Sequence, residues 1–338
     1  MKAKPLNSLF NIAGQARFLA YAGICALGLS AMSLSSTASA SAKGAKVIYL
    51  TVTEECEYCS IAHKAFRSTA EQEGMNLTVK MNNYDAAEQA TQVDQAIAEH
   101  PDAIAVWPAD SSAIIPSLRK IKAAGIPLVV VNSMPDPKYS KFWDAYTGPN
   151  DVGMGTLAAQ AMVQGFKEKG LGDTGEILMI IGIPGTAPQI QREQGFRDEL
   201  SKLAPGIKIV AFQPGYWDQS KAADAAASLF TQYGKNVKGM YSQADNMLAG
   251  AVIAAQRAGI DPKSIVMVGG NCSIEGVNNI ESGAQYASVL QSPVQDGVNA
   301  ARAIAALLDG KKVEPVNYLP QYVITKTNFN DCYKAMGR

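Results

Sequence analysis

Asp102-AIAVWPAD-Ser111, continued by Ala124-GIPLVVVN-Ser133, and Lys238-GMYSQAD-Asn246, continued by Ala258-GIDPKSIVMVGGN-Cys272, carry one pattern twice, about 135 residues apart. Each copy runs strand, polar loop, helix, and then an Ala-Gly-Ile turn into a second apolar strand. The echo extends upstream, where IYLTVTEECEYCSIAHKAF ending at Phe66 matches ILMIIGIPGTAPQIQREQGF ending at Phe196. The repeat predicts two similar α/β lobes in series. Two lobes make a cleft, and the strand-end residues of both copies are the candidates to line it.

Strand-length apolar runs alternate with helical patterns along most of the chain. Strands are predicted at 46–53, 77–81, 103–107, 126–131, 142–147, 176–181, 207–212, 237–241, 265–268, 286–290 and 322–325. Runs such as Pro127-LVVV-Asn132 and Ile177-LMII-Gly182 are apolar on both faces, as strands of a helix-covered parallel sheet must be. Between them Ala86, Ala90, Val93 and Ile97 recur at helical spacing, as do Val294, Val298, Ala301 and Leu308. This alternation specifies doubly wound, Rossmann-like lobes. The first lobe is expected to take residues 41–150 plus 292–320, and the second residues 151–291 plus 321–338. Asn150 and Asp151 are expected at the hinge.

The first 40 residues read as a leader outside the fold. Lys2, Lys4 and Arg17 precede an apolar run from Phe18 to Leu34, and Ala38-Ser39-Ala40 supplies the small residues of a cleavage site, with Ala42 the alternative cut. Cys25 follows Ile24 and does not fit a lipoprotein attachment site. Removing the leader leaves 27 Lys and Arg against 30 Asp and Glu. A slightly acidic chain argues against nucleic acid, whose binding needs clustered cations. The remaining 298 residues suit two domains. Four cysteines remain, and they allow three pairings. The preferred one joins Cys56 with Cys59 in a small ring and leaves Cys272 with Cys332.

In open parallel sheets, ligands sit at the carboxyl ends of strands. Those positions hold Tyr58 and Cys59 after the first strand, Trp107 after the third and Asn132 after the fourth. The second lobe contributes Ile190, Trp217, Gln243, Asn271 and Gln291. Aromatic faces suit the C–H surface of a small polar ring compound, and amides suit its hydroxyls. Each residue also has a plainer reading: Trp107 as core packing, Asn132 and Asn271 as turn residues. For Asp110 and Asp245, which lead into helices, capping is preferred to ligand contact.

DAIAVWPADSSAIIPSLRKIKAAGIPLVVVN, followed by GPNDVGMGTLAA, QREQGFRDEL, YSQADNMLAGAVIAAQRAG, MVGGN and VLQSP, resembles the periplasmic sugar-binding proteins of the ribose/galactose type, the type I substrate-binding proteins of ABC importers. The resemblance covers essentially the whole mature chain. It implies two lobes joined by three hinge strands that close on a small molecule, a periplasmic location, and an inner-membrane ABC permease as partner. It implies no cofactor, no metal and no catalytic residue, and a monomer is expected. A sensory variant presenting its ligand to a chemoreceptor or sensor kinase uses the same binding physics.

Carried over by position, the family's stacking aromatics fall on Tyr58, Cys59 and Trp217, and its polar residue after the third strand on Trp107. Its acids after the fourth strand and in the Val-Gly-x-Asp motif become Asn132 and Asn271, and its glutamine ahead of the proline is kept as Gln291. Ser133 and Ile190 stand where ribose-type proteins carry arginines, with Arg192 at a nearby position, and Ala244 replaces an asparagine. The expected pocket is therefore less charged than the family's, suited to a polyol, a deoxy or methylated sugar, an inositol derivative or another small neutral compound.

Cys56-Glu-Tyr-Cys59 at a helix start is the rival, since a C-x-x-C there is the thioredoxin-like redox arrangement. Three acids, Glu54, Glu55 and Glu57, oppose a thiolate, and the second lobe has no thioredoxin counterpart, so a structural disulfide is expected. With two histidines, His63 and His100, and no Walker-type loop, no other enzymatic chemistry is apparent.

Overall fold

A computed structural model of the chain describes residues 41–338; the predicted leader and its cleavage after Ala40 lie outside the described residues. The first half runs β1 (Lys46–Val52), α1 (Glu57–Gln72), β2 (Asn76–Asn82), α2 (Ala86–Ala98), β3 (Ala103–Val106), α3 (Ile115–Ala123), β4 (Leu128–Val131) and β5 (Ala145–Gly148). The second continues with α4 (Asp151–Glu168), β6 (Thr174–Ile181), α5 (Ala187–Leu203), β7 (Gly206–Pro214), α6 (Gln219–Tyr233), β8 (Val237–Ser242), α7 (Asp245–Arg257), β9 (Val266–Val268), α8 (Ile274–Ser282) and β10 (Ser288–Val289). The chain ends in α9 (Pro293–Leu308), β11 (Val316–Tyr318), β12 (Val323–Ile324) and α10 (Asn330–Ala335).

Both lobes are α/β with parallel sheets, and the duplication shows in their strand order. The first sheet runs β2-β1-β3-β4-β5-β11, and the second runs β7-β6-β8-β9, with Ala287 just ahead of β10 bridging Val268. The period-2 geometry of a strand explains why the runs are apolar throughout. Val47 and Tyr49 face one helical layer while Ile48 and Leu50 face the other, and all four are buried. Leu178 and Ile180 part from Ile177 and Met179 in the same way.

The chain passes between the sheets three times. It leaves β5 for α4, returns from β10 into α9, which packs against α1, and leaves β11 for β12, which pairs antiparallel with β10. Two local expectations are corrected. The strand expected at 142–147 begins at Ala145, because Asp136 and Pro137 start a 3-10 turn that runs to Phe142. Strand β11 has no counterpart in the sequence reading, because its three residues are half-exposed on a sheet edge and show no apolar run.

Helices α4 and α5 lie unusually close. A Cβ on Gly195 would collide with the Val152 carbonyl, and one on Gly155 with the Arg192 carbonyl. Two facing glycines thus set the depth at which Arg192 enters the second lobe. Gly195→Ala is expected to lower stability by about 1–3 kcal/mol through overpacking, seen as a lower urea midpoint with an unchanged m-value.

Candidate functional site

A cavity of about 660 Å³ opens between the carboxyl ends of the two sheets, a size that suits small-molecule sites. The lobes meet directly beside it. Ser111 Oγ lies 3.4 Å from the Gly185 carbonyl, and the Gln191 amide 3.3 Å from that of Met134.

Five aromatic side chains line it, among them Tyr58, Trp107 and Trp217. Trp107 is buried at the end of β3, where Gln89 grips the backbone on both sides: its amide donates to the Trp107 carbonyl and its oxygen accepts from Ala109 N, each at 2.9 Å. The edges of Tyr58 and His63 pack against the indole. Burial pushes the His63 imidazole down to about 4, so this ring is a neutral backing. Trp217 covers Gly182, where any Cβ would occupy the place of its ring. Its backbone and that of Tyr216 take the left-handed conformation, with φ of 59° and 56°. Bulky residues rarely sit there, and the Asn246 amide holds the turn by donating to the Trp217 carbonyl at 2.7 Å.

The floor is polar and built around Arg192, which is 3 % exposed. Its Nε donates to Asp151 at 2.8 Å, Nη1 to Asn271 Oδ1 and to the Gln243 carbonyl at 2.8 Å, and Nη2 to Gln291 Oε1 at 2.9 Å. Gln291 passes the network on by donating to Tyr58 Oη at 2.8 Å, and Tyr58 donates to Asp296 at 2.8 Å. Asn132 donates to the same Asp296 oxygen at 2.6 Å. Asp296 lies on α9, behind the lining. Burial pushes its carboxyl up to about 7 against the pull of these two bonds, and its other oxygen has no partner.

Of the residues picked out in the sequence, Tyr58, Cys59, Trp107, Asn132, Trp217, Asn271 and Gln291 line this cavity. Cys59 contributes only the back of a disulfide to Cys56; the second disulfide joins Cys272 to Cys332. Two residues lie elsewhere. Ile190 is 48 % exposed and outside the lining, since two residues along α5 turn it about 200° away from Arg192. Gln243 is fully buried and fastens the second lobe to itself, accepting from Gly182 N and donating to the Gln189 carbonyl. Asn150 caps α4 by accepting from Gly153 N, and its own N–H donates to Gln321 on the third crossing.

Asp245 departs from the capping expected of it. Its carboxylate accepts from Gln285 and Ser288 at 2.7 Å, tying α7 to β10 and the loop before it, and burial pushes it up to about 7. Asp110 does cap the turn before α3, accepting from Ser112 N and Ala113 N. The pocket is also more charged than expected, with Arg192 on the floor and Glu57, Asp218 and Glu275 in the lining. Arg192 was legible only as a displaced arginine, and Asp296, inside a helix and not after a strand, gave no signal.

Residues 46–312 match the family described as periplasmic binding protein domain. A xylitol-binding protein of Mycolicibacterium smegmatis is 30 % identical over 94 % of this chain and 87 % of its own length. A putative rhizopine-binding protein of Rhizobium meliloti is 29 % identical over 76 % of this chain and 82 % of its own. Among solved structures, an ABC transporter periplasmic solute-binding protein of Actinobacillus succinogenes with bound D-allose superposes with a TM-score of 0.75 at 25 % identity, covering 85 % of this chain and 99 % of that one.

The raised Asp296 carboxyl sets a pH dependence. An unfolded aspartate titrates near its ordinary value of about 4, so between that value and about 7 the native state binds the extra proton. This contribution is complete below the unfolded value and is lost as pH rises through 7. In calorimetry the wild-type midpoint is expected to fall from pH 5 to pH 8, and that of Asp296→Asn to fall less, with Asp245 supplying part of the remaining slope.

Proposed function

The chain belongs to the periplasmic binding protein family, and we propose that its cavity captures one small neutral polyhydroxy compound, a sugar, sugar alcohol or cyclitol, and delivers it to an inner-membrane ABC permease. The observation that carries this reading is a charge-balanced polar floor under aromatic walls. Arg192 lines the cavity, and its charge is balanced by the buried carboxylate of Asp151. It takes the oxygen of Asn271, which leaves that amide NH2 as a donor. Asp296 takes the nitrogen of Asn132, which leaves its amide oxygen as an acceptor. A fixed donor and a fixed acceptor, one from each lobe, match hydroxyl groups, which both give and take hydrogen bonds. Trp107, Trp217 and Tyr58 supply the apolar faces that cover the C–H surface of such a molecule.

Capture by both lobes explains how binding is signalled. A solute that touches Asn132 and Asn271 together gains its full interaction only when the lobes are shut, so it shifts the population toward the shut form. That form is what a permease would recognise. The relative named as a xylitol-binding protein supports the polyol end of the range.

A melting scan with xylitol and other alditols, pentoses, hexoses and cyclitols is expected to raise the midpoint by several degrees for one class at saturating concentration. No shift with any of them overturns the carbohydrate reading. Trp217→Ala is expected to weaken the responding solute by about 10- to 100-fold, the value of one buried aromatic face. Gly182→Ala should do nearly the same by displacing that ring, and titration calorimetry measures both.

A further inference from the structure

The first turn of α1 carries two side chains that face different partners. Tyr58 points to the cavity floor, as described. Glu57, its neighbour, reaches across to the second lobe, where Oε2 lies 3.3 Å from the backbone nitrogen of Ile274, the first residue of α8. Its other oxygen accepts from Arg338 at 3.0 Å, just beyond α10. The first N–H groups of a helix have no partner within it, and the helix dipole favours a negative charge beside them. Ser273 caps α8 at Gly276 N, which leaves the Ile274 donor for Glu57.

Both ends of this contact are framed by disulfides. Glu57 lies inside the Cys56–Cys59 ring. Cys272–Cys332 fastens the start of α8 to α10, so the donor of Ile274 and the guanidinium of Arg338 are presented together. One turn along α1, on the same face as Glu57, Ile61 packs against the cluster of Cys272, Val277, Leu290, Cys332 and Met336. A polar contact and an apolar one therefore join the same helix of the first lobe to the same corner of the second.

We propose that Glu57 is the latch that holds the lobes shut, a positioning residue that sets how long a solute is kept. This rests on the receptor reading above. Tyr58 and Glu57 are adjacent in one cross-linked turn, so the group that meets the cavity floor and the group that grips the far lobe move together.

The test is hydrogen exchange on the purified protein without added solute, followed in the peptide spanning Ile274. Glu57→Ala is expected to speed exchange there by roughly two- to fivefold, the value of one charge at a helix N-terminus. Glu57→Gln should fall between, and Arg338→Ala should act in the same direction with a smaller effect. With xylitol as the probe, the dissociation rate should rise by the same factor in Glu57→Ala. Unchanged exchange in both alanine variants overturns the latch, and so does faster exchange with unchanged xylitol dissociation. If xylitol does not bind, the receptor reading is decided by the full melting scan, and the exchange comparison alone decides the latch.

Discussion

A single buried cation organises the junction of this molecule. A guanidinium at 3 % exposure needs acceptors from the protein, and Arg192 makes four hydrogen bonds to them. The chain supplies them from separated places: the start of α4 just after the first crossing, the end of β8, the loop three residues after β9, and the second crossing at Gln291. Removing Asp151 would leave the charge unpaired at a cost of several kcal/mol, and removing a neutral acceptor would cost about 1.5–3 kcal/mol. The positions of Asp151, Asn271 and Gln291 are therefore not independent. The glycine-mediated approach of α4 to α5 belongs to the same arrangement, because it brings Arg192 within reach of Asp151.

The two lobes solve the same backbone problem and then diverge in side chains. Asn132 follows β4 and Asn271 follows the end of β9. Each donates its N–H to the neighbouring strand, to Thr147 and Val289 respectively, and each adopts a left-handed backbone, at φ 60° and 84°. Asparagine tolerates that conformation better than most residues, so the plainer turn reading is correct as far as it goes. The turn also sets both side chains in the cavity lining, so the turn geometry and the lining position come from one backbone conformation. At the preceding strand end the symmetry breaks. Trp107 and Gln243 each donate their N–H to the central strand, at Leu50 and Ile180, but the indole enters the cavity while the amide turns back to fasten Gly182.

How much of this was legible in the sequence follows from where each signal resides. The lobes were legible because parallel strands buried on both faces leave uninterrupted apolar runs, and the repeat doubled that signal. Seven of the nine residues picked from the strand ends line the cavity, since strand ends are fixed once strands are. What was hidden depends on depth and direction. Ile190 and Arg192 both sit near the strand-end loop, but helical rotation sends one outward and the other inward. Asp296 lies in a helix whose periodicity gives no reason to look for a carboxylate. The third crossing was half hidden because β11 is an edge strand, and half-exposed edges carry little apolar pattern.

The charges of the floor constrain what it can hold more tightly than its shape does. Arg192 and Asp151 cancel locally. Asp296, set behind Tyr58 and Asn132 and raised to about 7 by burial, sits where either protonation state is within reach near neutrality. A second fixed anion beside Asp151 would leave the floor negative and favour a cation. A floor able to retain a proton at that position stays near neutral, and its selectivity then comes from the direction of its donors and acceptors. Those directions are held by bonds within the protein, from Arg192 to Asn271 and from Asn132 to Asp296, so little ordering is left for the bound molecule to impose. A neutral, hydroxyl-rich solute is the chemistry that such a rigid, charge-balanced floor distinguishes best.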